Sequence, residues 1–427
     1  QLRSMHVVMT AAHGGYDSES VPLGGGAAVC ERLCRLWQGR PDVKVTLLGS
    51  GPRAPEGVDY VRVGSLGEAI PSQLSELAYA RFCRRFEKEA PAWLLDQRER
   101  PVVLSHDVSE GPDFGRLSRA GLSCLCILHV DVVDYFQRFY LGDALPPFWW
   151  TWMHRQLRWF PCPDVLRLVF EKQLLAAEHC RTLVVPSQRM LGILEGCYPA
   201  MPEGRVQVVP WGAPCTMPAI EEIRAAQEQL ARQWQLDPRA PLILTLSRIA
   251  PEKSQDTLLR ALKLGEERGQ IPAGLTVAIV GGSSYMMGQR FLQRLKQLAS
   301  RLKRVRVLFP GHLGGALKWA ALQRAQVFAV CSRHESYGLT IMEAMAAGCP
   351  TVAVRSYGVD AVTDEDCACV LDRGPALESR LWEAIRQLLD HPEQRERLAT
   401  QALRRASEEG FEAAADRLLQ LCRGSHR

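Results

Sequence analysis

Four charged side chains in the second half of the chain have the types and spacing to grip a phosphorylated ligand: Arg248, Lys253, Glu335 and Glu343. Arg248 and Lys253 lie in Ser247-Arg248-Ile249-Ala250-Pro251-Glu252-Lys253, directly after the apolar run Leu242–Leu246. Two fixed cations on such a loop can neutralise a pyrophosphate, Arg through its planar fork and Lys as a point charge. Taken alone, a basic loop is equally a solvated surface. Glu335 and Glu343 lie either side of Gly338 in SRHESYGLTIMEAMAAGCP, residues 332–350. Glu335 precedes a helix and Glu343 lies on it; a wholly helical stretch would part them by ~12 Å along the axis. That spacing is wrong for an acid and a base acting on one atom. It suits two groups holding the ends of an elongated ligand, with helix amides from Gly338 to Thr340 facing a phosphate between them.

The first half offers a second set. His106 in VVLSHD and His129 in CLCILHVD each close an apolar run. A histidine so placed is either a satisfied residue at the edge of the core or a group presented at a strand end. Gly24-Gly25-Gly26 precedes the helical pattern Ala27–Trp37. Such a turn lets the backbone approach a phosphate or sugar, and the helix start adds partial positive charge. A merely flexible loop has the same composition.

The elements that must position these residues follow from periodicity. Short apolar runs alternate with helical patterns almost throughout, the signature of parallel α/β architecture. Strands are expected at Met5–Thr10, Lys44–Leu48, Asp59–Val63, Val102–Ser105, Leu122–Leu128 and Thr182–Val185, then at Leu242–Leu246, Thr276–Val280, Val305–Phe309, Val327–Val330 and Thr351–Val354. Two doubly wound Rossmann-like domains result, with their ligand-binding strand ends facing an interdomain cleft. The joint is placed where Pro210, Gly212, Pro214 and Pro218 crowd together. This gives an N-terminal domain 1–210, a C-terminal domain 211–400, and C-terminal helices 401–427 crossing back to the first domain.

Composition narrows the function classes. The 427 residues are 47% hydrophobic and 23% charged, which excludes a disordered or collagen-like chain. A net charge of +5 suits a phosphate-bearing ligand or an anionic surface. No Lys/Arg block of the kind that tracks nucleic acid occurs, so no nucleic-acid partner is expected. The 14 cysteines contain no CxxC and no zinc spacing. They are expected to be buried reduced thiols of a cytoplasmic protein, with no metal and no cofactor. No leader is recognisable, and no apolar run approaches the ~20 residues that span a bilayer.

SRIAPEKS and ESYGLTIMEAMAAGCPTVA closely resemble the G-R-x-x-P-E-K-G and E-x-[FY]-G-x-x-x-x-E-A-M-A-x-G-x-P-V-V-A patterns of the retaining glycosyltransferases of sequence family 4, which have the GT-B fold. The resemblance is densest over 242–364. It implies a nucleotide-sugar-dependent, metal-independent hexosyltransferase with same-face substitution, a uridine diphosphate donor being the default. Arg248 and Lys253 would contact the donor diphosphate, Glu343 the ribose hydroxyls and Glu335 the donor sugar, with backbone amides near Gly338 and Leu339 assisting. Gly25 and Gly26 would lie against the donor phosphates. His129 would support the anomeric centre, and His106 would line the acceptor side. Pro210-Trp211-Gly212 departs from the family's P-N-G, which puts donor contacts from that loop in doubt.

Tyr135–Phe160 carries ten aromatic residues beside Arg138, Arg155 and Arg158. Such a segment stacks on sugars, takes an apolar acceptor, rests on a lipid headgroup layer as a peripheral membrane contact, or packs as an insertion or oligomer contact. An acceptor role is favoured, with Trp149 and Trp150 as its candidates and a small molecule, glycan or lipid as the acceptor. Two other classes remain: a tandem-Rossmann dehydrogenase, for which Gly49-Ser50-Gly51-Pro52 is the nearest fingerprint, and a catalytically silent GT-B scaffold.

Overall fold

The computed structural model describes residues 4–17, 21, 23–67, 69–141, 145–161, 163, 166–283 and 285–426. The chain divides into two compact units. The first holds the described residues of 1–18 with 23–210 and 412–427, and the second holds 211–411.

The first unit is built on seven parallel strands: β1 Met5–Thr10, β2 Val43–Gly49, β3 Asp59–Arg62, β4 Val102–His106, β5 Cys124–Ile127, β6 Thr182–Val185 and β7 Val206–Val208. Their order is β3-β2-β1-β4-β5-β6-β7. The second unit has six: β8 Leu242–Leu246, β9 Thr276–Val280, β10 Arg306–Gly311, β11 Val327–Val330, β12 Thr351–Val354 and β13 Cys369–Leu371. Their order is β10-β9-β8-β11-β12-β13, again wholly parallel. Helices cover both faces of such sheets, so central strands such as β4, β5 and β9 bury every residue and carry continuous apolar runs rather than alternation.

Both sheets change direction at one place, between β1 and β4 in the first and between β8 and β11 in the second. Loops leaving the carboxyl ends of strands at such a switch point diverge and leave a crevice, where ligands of doubly wound sheets bind.

The helix Pro392–Glu408 runs unbroken through position 400. The second unit therefore extends to Phe411, and the returning segment is 412–427 rather than 401–427. The two ends of the second unit lie side by side. Ala213 N donates to Glu409 O at 2.6 Å, Phe411 N donates to Ala213 O at 2.9 Å, and the Trp211 and Phe411 rings are 6.3 Å apart. In the first unit the last helix, Phe411–His426, is tied by Asp416 to Arg40 at 2.8 Å and by Arg423 to Asp42. No disulfide joins the described cysteines, all of which are buried except Cys215 and Cys369.

Candidate active site

In the second unit the switch point gathers the charged residues. The loop after β8 turns through a short 3-10 segment, Pro251–Lys253, into the helix Gln255–Glu267. Gln255 fixes that loop by donating to Ser247 Oγ at 3.0 Å and Arg248 O at 2.9 Å. Glu252 is buried, with Oε1 3.6 Å from the Arg248 guanidinium, and its carbonyl accepts from Arg333 N at 2.8 Å. The loops after β8 and β11 are thus joined. Lys253 Nζ lies 2.7 Å from Glu335 Oε1, which also accepts from Ser332 Oγ at 2.8 Å. Lys253 and Glu335, 82 residues apart in sequence, share one site.

Past Glu335 the chain turns through Gly338 at φ 79, the left-handed conformation that an L side chain resists. Gly338 caps the helix Leu339–Ala346 without any side-chain acceptor. The first amides of that helix have no intrahelical partner and carry its positive dipole end. Glu343 is buried on the same helix, held 2.9 Å from Lys318 Nζ on the helix Gly315–Arg324. The buried His334 ring nitrogen Nε2 is 2.5 Å from Tyr357 Oη. A pair of cations, two buried or half-buried carboxylates and a run of helix amides are therefore carried on the segments that follow β8 and β11. Such a set can bind a diphosphate electrostatically and hydrogen-bond the polar groups on either side of it.

The first unit has its own polar cluster at the equivalent place. His106 ends β4 and His129 follows β5; His106 Nδ1 is 3.2 Å from His129 Nε2, with the rings stacked 5.4 Å apart. Burial, reinforced by the charge of His13, pulls His129 down to about 3 and His106 well below the usual imidazole range. Both are therefore neutral at physiological pH. Gly25 opens the helix Gly25–Trp37, and Gly26 faces the His129 ring so closely that a Cβ there would lie 3.0 Å from Cδ2.

Just past β1, His13 Nδ1 is 2.6 Å from Glu110 Oε2, while Tyr79 Oη donates to Glu110 Oε1 at 2.5 Å. Burial opposes charge on both partners, but their mutual attraction outweighs it: His13 is raised and Glu110 lowered. Asp107, at φ 67, is pushed up to about 7 by burial and then by the Glu110 charge. A buried network positions this loop. Lys172 Nζ donates to Gly111 O at 2.6 Å and lies 3.5 Å from Glu87, which Arg167 grips through both carboxylate oxygens.

Several expectations change on this evidence. His106, expected on the acceptor side, is buried, with Nδ1 within hydrogen-bond distance of His129 Nε2. Trp149 and Trp150, both candidates for the acceptor side, point apart because consecutive helical residues diverge by about 100°. Trp149 is 47% exposed, whereas Trp150 packs against the cluster of Val133, Val169 and Phe170. Positions 142–144 of the aromatic segment lie outside the described residues. Gly49 and Gly51 lead into bends and turns instead of a helix, so the dinucleotide fingerprint has no helix start to deliver.

Sequence reasoning missed His13, Asp107, Glu110, Ser332, His334 and Lys318. The rule that singled out His129, a polar residue just past an apolar strand, applies equally to His13 after β1. Nothing in the local pattern marks Lys318, whose partner lies 25 residues away.

Residues 226–405, all within the second unit, match the family model Glycosyl transferases group 1. The chain is similar to D-inositol 3-phosphate glycosyltransferase of Thermomonospora curvata, 33% identical over 269 residues that make up 61% of this chain and 60% of that protein. The enzyme of the same name from Corynebacterium efficiens is 31% identical over 261 residues, 60% of this chain and 58% of that protein. The chain thus spans about three-fifths of the length of these curated relatives. Among solved structures, Anabaena HepE in complex with UDP-glucose superposes with a TM-score of 0.68 at 15% identity, covering 98% of this chain and 100% of that one. Sucrose-phosphate synthase from Thermosynechococcus elongatus superposes at 0.70 and 17% identity, covering 98% of each chain. The fold of the chain is GT-B.

Proposed function

We propose that the chain is a retaining glycosyltransferase that moves a hexosyl group from a nucleotide diphosphate sugar to an acceptor hydroxyl. The observation that supports this reading is the Lys253–Glu335 pair joining the segments after β8 and β11, which also carry Arg248, the Gly338-capped helix and Glu343, inside the stretch that matches the glycosyltransferase family model. As the sugar leaves, negative charge grows on the diphosphate. Arg248, Lys253 and the amides at Leu339 and Thr340 stabilise that charge from fixed positions. Glu343 takes the ribose hydroxyls, and Glu335 orients both Lys253 and the sugar.

No metal or cofactor is invoked, because cations and peptide dipoles supply the charge stabilisation. On the first unit, His129 would offer a hydrogen bond to a sugar hydroxyl, and Gly25 and Gly26 would let the backbone approach a ligand closely. The departing phosphate helps deprotonate the acceptor hydroxyl, so substitution occurs on the same face. The first candidates to try are UDP-glucose, bound in the HepE complex, as donor and D-inositol 3-phosphate, named for the Thermomonospora relative, as acceptor.

The test is transfer from uridine, guanosine and adenosine diphosphate sugars, after thermal-shift ranking of the three. Lys253→Ala and Glu343→Ala are expected to lower turnover by at least about a hundredfold while leaving the thermal midpoint near wild type. Full turnover in either variant overturns the site assignment. An inverted anomeric proton coupling in the product overturns the retaining mechanism.

A further inference from the structure

The helix Pro147–Leu157 wears its apolar side outward. Its inner face is well fixed to the first unit. Thr151 is buried, its single hydroxyl proton shared between Phe148 O at 2.9 Å and Cys197 O at 3.2 Å. The His154 ring stacks on Phe170 at 5.6 Å, with Nε2 3.4 Å from Glu171. The opposite face, at spacings of one, four and five residues, presents Phe148, Trp149, Trp152 and Met153 to solvent. In the turn that follows, Trp159 is 88% exposed and Phe160 68%. A helix anchored on one side would ordinarily turn polar residues to water on the other. A contiguous exposed aromatic patch of this kind marks an interaction surface.

Charge identifies what covers it. Between positions 145 and 161 there is no Asp or Glu, while Arg155 and Arg158 are both exposed among the aromatic rings. Arg158 keeps one carboxylate, Glu178, at 3.7 Å. Aromatic rings with an apolar body and a polar edge, interleaved with arginines on a segment that itself contributes no carboxylate, match a bilayer's anionic headgroup layer. They match a second copy of this surface poorly, because its arginines would meet like charge. No helix among the described residues is long and apolar enough to cross a membrane, so the contact lies in the interface.

We propose that the outer face of the helix Pro147–Leu157 and the turn through Phe160 dock on an anionic lipid bilayer, with Trp149, Trp152 and Trp159 inserted at headgroup depth. This surface is independent of the transfer reading, since it uses none of the residues assigned to donor chemistry.

The experiment is flotation of the 427-residue chain with vesicles of phosphatidylcholine alone and of phosphatidylcholine mixed with phosphatidylglycerol. Wild type is expected to float with the anionic vesicles, and less at high salt. The double variant Trp152→Ser/Trp159→Ser, whose side chains are exposed, should keep the wild-type thermal midpoint and lose about tenfold or more in partitioning. Arg155→Gln should lose roughly fivefold on anionic vesicles and little on neutral ones. Failure of wild type to float overturns the proposal, as does unchanged flotation of the tryptophan variant. A dimer seen by light scattering that this variant dissociates, without vesicle binding, would assign the face to a second copy instead.

Discussion

At the scale of single residues, the buried His13–Glu110 pair makes a pH-dependent contribution whose sign is fixed by its two shifts. His13 titrates above its ordinary value, so its contribution is complete below roughly pH 6.5 and is lost as pH rises through the raised pKa. Glu110 titrates below its own, so its contribution is complete above roughly pH 4.5 and is lost as acid protonates it. Glu110→Gln is accordingly expected to cost about 3 kcal/mol between those values. In urea titrations across pH, the gap between wild type and variant should narrow toward the alkaline side. A gap independent of pH would mean that Glu110 acts by packing alone. Gly26→Ala tests the neighbouring close approach. The added methyl, 3.0 Å from the His129 ring, should displace that ring and lower kcat more than it lowers stability. The imidazole carbon-bound proton resonances would report the displacement.

Elements decide what these residues can do. The helix Gln255–Glu267 carries the cationic loop at its start, and near its end Gly265 lies under the Trp382 indole, where a Cβ would come within 2.4 Å. Gly265→Ala should therefore destabilise the second unit by about 1–3 kcal/mol through overpacking, measured by thermal denaturation. At Gly338, whose φ of 79 starts the helix bearing Glu343, an alanine should cost about 1 kcal/mol in stability. Its larger effect is expected on the donor KM, because the first helix amides would be re-aimed; an unchanged KM would remove those amides from the donor site.

Much at this scale was legible beforehand. Strands such as Met5–Thr10, Leu242–Leu246 and Thr276–Val280 are bounded in the structure as their apolar runs imply. Glu335 and Lys253 could be named from their motifs. Their direct pairing could not, because only the parallel placement of β8 beside β11 brings the two loops together. The outward face of the helix Pro147–Leu157 was hidden for the same reason: a run rich in tryptophan does not reveal which side the sheet leaves uncovered.

Across the whole molecule, the path of the chain matters most. The second unit begins at Trp211 and ends at Phe411, and backbone hydrogen bonds between Ala213 and the 409–411 segment bring entrance and exit together. Tyr337, close to Glu335 in sequence, accepts a further bond from Gly212 N at 2.8 Å. Such an arrangement behaves as a cassette spliced into the first unit's gene. Its excision as 211–411 should yield a cooperative fold with a single melting transition that a nucleoside diphosphate raises. Joining Pro210 to Glu412 through a short flexible bridge should leave the seven-stranded remainder intact. Circular permutants opened inside the cassette, with Trp211 and Phe411 fused, are then the natural means of editing one half of the protein without rewriting the other.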